Sequence, residues 1–299
     1  MQWIIPALFA PFLNAIVNFI DKYLVTRQVK NCLAMQLYTS IVSFCFGTLV
    51  WIGLGFPAFV GLNVLWALGV GLVFSAAGVG YYFILSRKDV SDMVFLFSLT
   101  PVLVLMLAFL FLDEAISYGQ FFGFWLVLAA VMLVSARKNA NIPIFSFTSL
   151  LILGMDLLWA LAAVMSKLAT NSNSFASVLV CEGWGLGLGG IVIYVFSAKV
   201  RNAFWGNFKT TSKKAFGIIG ISETLGVLAG WLGFFAFSIG PVALVSVVSG
   251  IRSFYAIVLG YFLTVLMPLI IREDITKETL FRKILAAIIL MVGLFFIYT

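Results

Sequence analysis

Hydrophobic positions in this chain run on for about twenty residues at a time, with short polar clusters between the runs. A hydrocarbon core of about 30 Å takes roughly twenty helical residues to cross, whereas barrel strands would show about ten residues of alternation. The pattern therefore predicts helices, each satisfying its own backbone polar groups. Ten windows qualify: Trp3–Ile20, Leu33–Leu54, Val64–Leu85, Met93–Leu112, Gly119–Ser135, Phe147–Met165, Phe175–Phe196, Ala215–Phe237, Val242–Leu263 and Ile284–Tyr298. The expected fold class is an all-α membrane protein with ten transmembrane helices. The longest polar stretch, Ala198 to Lys214, reads as a basic interfacial loop. Pro101 is expected to kink the fourth helix and Pro268 to end the ninth.

Composition supports lipid as the solvent. Of 299 residues, 63% are hydrophobic and 10% charged, and mean hydropathy is +1.16. A soluble domain carries about a quarter charged residues. The 18 Lys and Arg against 11 Asp and Glu give a net charge of +7, which suits the basic cytoplasmic loops of a membrane protein and not a nucleic-acid partner. There is no His, and Cys32, Cys45 and Cys181 are scattered, so no metal site, disulfide framework or cofactor is expected. No HExxH motif and no nucleophile–base constellation is present, and an enzyme is not expected. Met1-Gln2-Trp3 lacks the positive start of a cleaved signal, so the first helix is expected to be retained.

The cations then orient the helices. Sixteen of the eighteen follow odd-numbered windows: Lys22, Arg27 and Lys30; Arg87 and Lys88; Arg137 and Lys138; Lys199, Arg201, Lys209, Lys213 and Lys214; Arg272, Lys277, Arg282 and Lys283. Only Lys167 lies on the other side, and Arg252 falls within a window. By the positive-inside rule the odd loops are cytoplasmic and both termini face out.

The chain also repeats itself. Leu13-Asn14-Ala15-Ile16-Val17-Asn18-Phe19-Ile20-Asp21-Lys22 matches Leu158-Trp159-Ala160-Leu161-Ala162-Ala163-Val164-Met165-Ser166-Lys167, each ending in Lys. Phe111-Leu112-Asp113-Glu114-Ala115-Ile116-Ser117 is echoed by Ile271-Arg272-Glu273-Asp274-Ile275-Thr276. Five helices per copy is an odd number, so copies 1–138 and 139–299 would insert upside down relative to each other. Two inverted five-helix repeats are a carrier architecture, with substrate bound between the halves near the midplane.

In these features the chain resembles the drug/metabolite transporter superfamily, specifically its ten-span EamA-like branch. The resemblance covers nearly the whole chain and rests on Ser98-Leu99-Thr100-Pro101-Val102, on Phe111-Leu112-Asp113-Glu114, and on Lys22 and Lys167 at their helix ends. It implies transport of a small solute. Two departures stand out: the second copy carries Arg252 where the first has Pro101, and relatives usually keep both termini in the cytoplasm.

Asp156, Glu182, Glu223 and Arg252 fall inside windows, and each costs about 2.5–3.5 kcal/mol on insertion scales. At about 1.5 Å per residue, Asp156, Glu223 and Arg252 share a level roughly 12–15 Å from the basic side, with Glu182 nearer the other face. Glu223 and Arg252 either form an ion pair locking helices eight and nine, or line a cavity. In the second reading Arg252 offers a planar fork to a carboxylate or phosphate. Glu223 or Asp156 would then meet an amine or carry a coupling proton. Asn14 and Asn18 share a helix face and join Gln36, Tyr38, Tyr81 and Tyr82 as cavity hydrogen-bonders or interhelical ties. Trp159, Trp184 and Trp231 would stack on a substrate ring or simply pack. The candidate binding set is Arg252, Glu223, Asp156, Asn14, Asn18, Tyr82 and Trp159. Asp21 reads as an edge residue, and Glu114 and Glu273 as solvated structural or gating residues. Gly185 and Gly189, like Gly226 and Gly230, stand in GxxxG spacing, which predicts tight helix packing.

The expected function is alternating-access transport of a small polar metabolite, an amino acid or similar zwitterion. The expected location is a cell membrane (the inner membrane in a bacterium), with protons or a counter-solute as coupling partners. Exchange of an anionic metabolite such as a nucleotide or phosphorylated sugar is the alternative within transport. A lipid-headgroup flippase is the alternative outside it.

Overall fold

The structure, a computed structural model, describes residues 2–29, 31–56, 63–111, 117–135, 147–170, 174–268, 273–274 and 276–298. Among the described residues it is helical, with no strand. Helix α1 is Ile4–Tyr23 and runs into a π-helical turn, Leu24–Gln28; α2 is Cys32–Gly53 and α3 Asn63–Leu85. Next come α4, Val90–Leu96, a 3₁₀ turn at Phe97–Leu99, α5, Thr100–Phe111, and α6, Tyr118–Ser135. Then follow α7, Phe147–Thr170, α8, Phe175–Phe196, α9, Ala198–Thr210, and α10, Lys213–Ile239. The chain closes with α11, Val242–Ser249, α12, Arg252–Leu266, and α13, Lys277–Tyr298.

Six helices among the described residues are long and apolar enough to cross a membrane, those built on α1, α2, α3, α7, α8 and α10. Shorter apolar helices accompany them. Two predicted windows are broken rather than continuous. In the fourth, Pro101 falls in the first turn of α5, where a missing N–H costs nothing, and the chain reaches it through the 3₁₀ turn. In the ninth, Gly250 and Ile251 separate α11 from α12. There Ser253 N–H bonds Gly250 O at 3.1 Å and Phe254 N–H bonds Ile251 O at 3.0 Å, a tightened i→i−3 turn.

Two expectations are corrected. Ala198–Thr210 is a helix, not a loop: the Ser197 hydroxyl caps it by accepting Val200 N–H. Its Phe204 and Phe208 rings pack on Tyr38 and Phe216 at 5.3 and 5.5 Å. Asp21 is not an edge residue, because α1 continues past it to Tyr23 and buries it to 2% exposure. Lys22 explains that extension. Its ammonium donates to Leu85 O at 2.8 Å and Lys88 O at 2.7 Å, satisfying carbonyls at the end of α3, where a cation also suits the helix dipole. Lys167 does the same for α10, donating to Phe237 O and Gly240 O, each at 3.2 Å.

The halves interleave. Helix α1 lies against α10 and α12, α3 against α7 and α8, α2 against α8, α5 against α11, α4 against α12, and α6 against α13. A boundary at 138/139 lies outside the described residues. The outer surface carries exposed apolar side chains such as Ile5, Leu49, Leu110, Phe196 and Leu266, a face suited to acyl chains.

The glycines fall into two classes that the spacing alone does not separate. On α8, a Cβ at Gly185 would lie 2.1 Å from Leu68 O, and one at Gly183 would lie 2.6 Å from Ser43 O. These glycines press α8 onto the backbones of α2 and α3. On α10, a Cβ at Gly230 or Gly233 would meet nothing within 4 Å, so tight packing is not their role. Gly185→Ala is therefore expected to cost about 1–3 kcal/mol through overpacking, seen as a lower unfolding temperature in detergent. Gly217→Ala, also facing open space, should leave that temperature unchanged or raise it.

Candidate functional site

A cavity of about 410 Å³ lies inside the bundle, within the roughly 300–1,000 Å³ range of small-molecule sites. Its wall is built from α1, α2, α3, the α4–α5 break, α7, α8, α10 and the α11–α12 break, and α6, α9 and α13 contribute nothing. Along α10 the wall runs from Glu223, ten residues beyond Lys213, to Phe237, two short of Ile239. Along α1 and α3 it reaches Asp21 and Tyr82, two and three residues short of the basic ends at Tyr23 and Leu85, so the wall spans from near the basic end toward the end held by Lys167.

Helix α1 supplies Asn14, Asn18 and Asp21 from one face, since i, i+4 and i+7 align. The Tyr81 hydroxyl lies 2.8 Å from Asn18 Oδ1 and 3.0 Å from Asp21 Oδ2. Ser222 donates to Asp21 Oδ1 at 2.6 Å. Arg252, in the first turn of α12, donates through Nη2 to Asn18 Oδ1 at 2.6 Å and interacts electrostatically with Asp21. Asn18 Nδ2 and Arg252 Nε remain buried without a hydrogen-bond partner among the described residues. Beside them Glu223 Oε1 accepts the Thr39 hydroxyl at 2.7 Å and the Tyr82 hydroxyl at 3.3 Å.

No family model matches the chain, and no curated protein matches it in sequence. Twenty-eight solved chains do match it in structure. One, a crystal structure of a protein, is 15% identical, covers 96% of this chain and 94% of its own, and superposes with a TM-score of 0.67. The likeness is one of fold.

Of the predicted set, Arg252, Glu223, Asn14, Asn18, Tyr82 and Trp159 all line the cavity. Asp156 does not. It is fully buried, and its carboxylate accepts the Thr100 hydroxyl at 2.5 Å and the Thr100 backbone N–H. Asp156 thus fastens the start of α5 from α7, as an N-cap side chain would. Arg252 turns to Asn18 and Asp21 across α1 and α12, so of the two readings of Glu223 and Arg252 the ion pair is not formed and both line the cavity. Trp159 meets Phe97 edge-on at 4.5 Å, and Trp231 also lines the wall. Trp184 packs on Trp51 at 5.5 Å and donates to Thr48 at 3.1 Å, off the cavity. Tyr38 likewise packs on Phe204 and Phe216.

Glu273 is buried, not solvated. Its carboxylate accepts Val90 N–H at 2.7 Å and a short bond from the Ser91 hydroxyl, with Lys283 at 3.7 Å. Burial pushes this carboxyl above its ordinary range, against the opposing pull of Lys283. The cluster ties the start of α4 to α13 at the basic end. Glu114 lies outside the described residues.

Sequence reading missed the cavity residues Asp21 and Thr39, and with them Ser222, which lies behind the wall and bonds Asp21. A signal existed for the first: Asp21 falls one turn beyond Asn18 on the face that the two asparagines mark. Glu182 is the remaining charged wall residue, at 8% exposure.

Proposed function

We propose that this chain is a secondary transporter of the drug/metabolite type. It moves a small polar metabolite, an amino acid or similar zwitterion, across a cell membrane by alternating access. The observation that carries the reading is the convergence of Asn18, Asp21, Tyr81, Glu223 and Arg252, from four helices, on one cavity inside an apolar bundle. Ionisable groups in such a setting are costly and persist where a wet cavity and polar partners receive them. Arg252 Nε and Asn18 Nδ2 are the free donors for a substrate carboxylate, and Glu223 is the acceptor for its ammonium. One arginine faces Asp21, Glu182 and Glu223 across the wall, a balance that disfavours nucleotides and phosphorylated sugars.

Two inverted five-helix repeats, 1–138 and 139–299, account for several paired features. Lys22 and Lys167 each cap the third predicted window of their own copy, α3 and α10. The fourth window of each copy is broken, and the last helices, α6 and α13, pair outside the cavity. Rocking of one copy against the other would expose the cavity to each side in turn.

Purified protein in proteoliposomes, screened with radiolabelled amino acids, nucleosides and nucleotides, tests the reading. Amino-acid flux is expected. Nucleotide exchange, or lipid scrambling with no solute flux, would overturn it. Orientation is tested in a background without native cysteines. A membrane-impermeant thiol reagent should label Ser174→Cys in intact cells, and Lys209→Cys only after permeabilisation.

A further inference from the structure

The cavity holds three carboxyl side chains in its wall, and two have work that the structure accounts for. Asp21 is held by Tyr81, Ser222 and the charge of Arg252, and Glu223 by Thr39 and Tyr82. Glu182 differs from both. It lines the cavity, is more than nine-tenths buried, and among the described residues makes no hydrogen bond and no ion pair.

The neighbouring elements supply no counter-charge. Against α8 pack α2, with Tyr38 and Cys45, and α3, with Tyr81 and Tyr82. Also against it are α7, with Asp156 and Lys167, α9, with Lys199, Arg201 and Lys209, and α10, with Lys213, Lys214 and Glu223. None of these groups reaches the Glu182 carboxyl; burial alone sets its surroundings. Its backbone is fixed, because Gly183 and Gly185 seat this turn of α8 directly on the backbones of α2 and α3. The side chain cannot find a partner by a shift of its own helix without breaking that contact.

We propose that Glu182 is a separate proton-binding site of the cavity, taking up and releasing a proton to cavity water while Arg252, Asn18 and Glu223 hold the substrate. This rests on the transport reading above. Hydroxyl donors favour the charged form of a carboxylate, as those of Thr39 and Tyr82 do on Glu223, whereas a carboxyl without donors carries charge only while water or a cation stands beside it. Glu182 is that second kind. It lies seven residues into α8, about 10 Å from the Phe175 end, in the cavity wall. Closing the cavity over it strips away the water that sustains its charge, so a closed, empty carrier crosses with Glu182 protonated. That makes the proton a co-traveller or counter-traveller of the substrate.

Infrared difference spectra of the purified protein in nanodiscs, recorded as pH is stepped, read the carboxyl directly and need no substrate. A protonated-carboxyl band that titrates is expected in the wild type and in Glu223→Gln. Glu182→Gln should remove one titrating component that Glu223→Gln leaves in place, and Glu182→Asp should shift it. A spectrum that Glu182→Gln leaves unchanged would overturn the assignment, as would a wild type with no titrating band. Proteoliposomes then separate the two claims. Glu182→Gln should keep exchange of the radiolabelled amino acids while losing accumulation driven by an imposed pH gradient. A titrating Glu182 in a protein that moves none of them sinks the transport reading and leaves the proton site standing. Transport in Glu182→Gln that still follows the pH gradient sinks the proton site and leaves transport standing.

Discussion

Arg252→Ala is expected to abolish transport in proteoliposomes while the protein remains folded and monodisperse in detergent. Arg252 is the only cation in the cavity wall among the described residues, and its Nε is buried without a partner. Truncating one partner of a buried, hydrogen-bonded charge contact costs about 2–5 kcal/mol, roughly thirtyfold or more in affinity. Lysine should rescue only in part, because a point charge cannot bond Asn18 and a substrate carboxylate through one planar fork. Folding survives because Asp21 keeps Tyr81 and Ser222 when the guanidinium is gone. Asp21→Asn added to Arg252→Ala relieves the remaining unpaired charge and should restore any lost thermal stability without restoring flux. If that double variant transports normally, the Arg252–Asn18–Asp21 contact is a strut and substrate binds elsewhere.

The same contact marks where sequence reading stopped. Hydrophobic run length located the helices, because lipid leaves the backbone no alternative to them. The depth estimate also brought Glu223 and Arg252 to the cavity level. Depth says nothing of azimuth, however, and Asp156 shares that level while facing Thr100 across a helix break instead of the cavity. Partner choice was illegible for a related reason. Arg252 and Glu223 sit on sequential windows, which made them a natural pair, but the break at Gly250–Ile251 places Arg252 at the start of α12, where it bonds Asn18 of α1. Asp21 was hidden by a boundary, since a run of apolar residues ends at Ile20 whereas the helix does not. What carries α1 onward is Lys22 bonding carbonyls more than sixty residues away, and no local pattern records that.

Glycine spacing posed the opposite problem, one pattern with two meanings, and the second meaning yields the other large effect. Gly230→Leu is expected to stop transport with no loss of thermal stability. On α8 a Cβ at any of its glycines meets a neighbouring helix, whereas at Gly230 the space beside the helix is the cavity itself, bounded by Trp231 and Phe234 on the same helix. A leucine there extends into a volume of about 410 Å³, already at the small end for a binding site. It replaces a poor helix former by a good one, worth up to about 1 kcal/mol to α10. Folding is therefore unharmed or improved while the room for substrate shrinks. Gly230→Ala, adding one methyl, should reduce affinity for large substrates more than for small ones and so report how closely the ligand approaches α10. Undiminished flux in Gly230→Leu would mean that substrate does not pass this face, and the cavity would lose its claim to be the transport path.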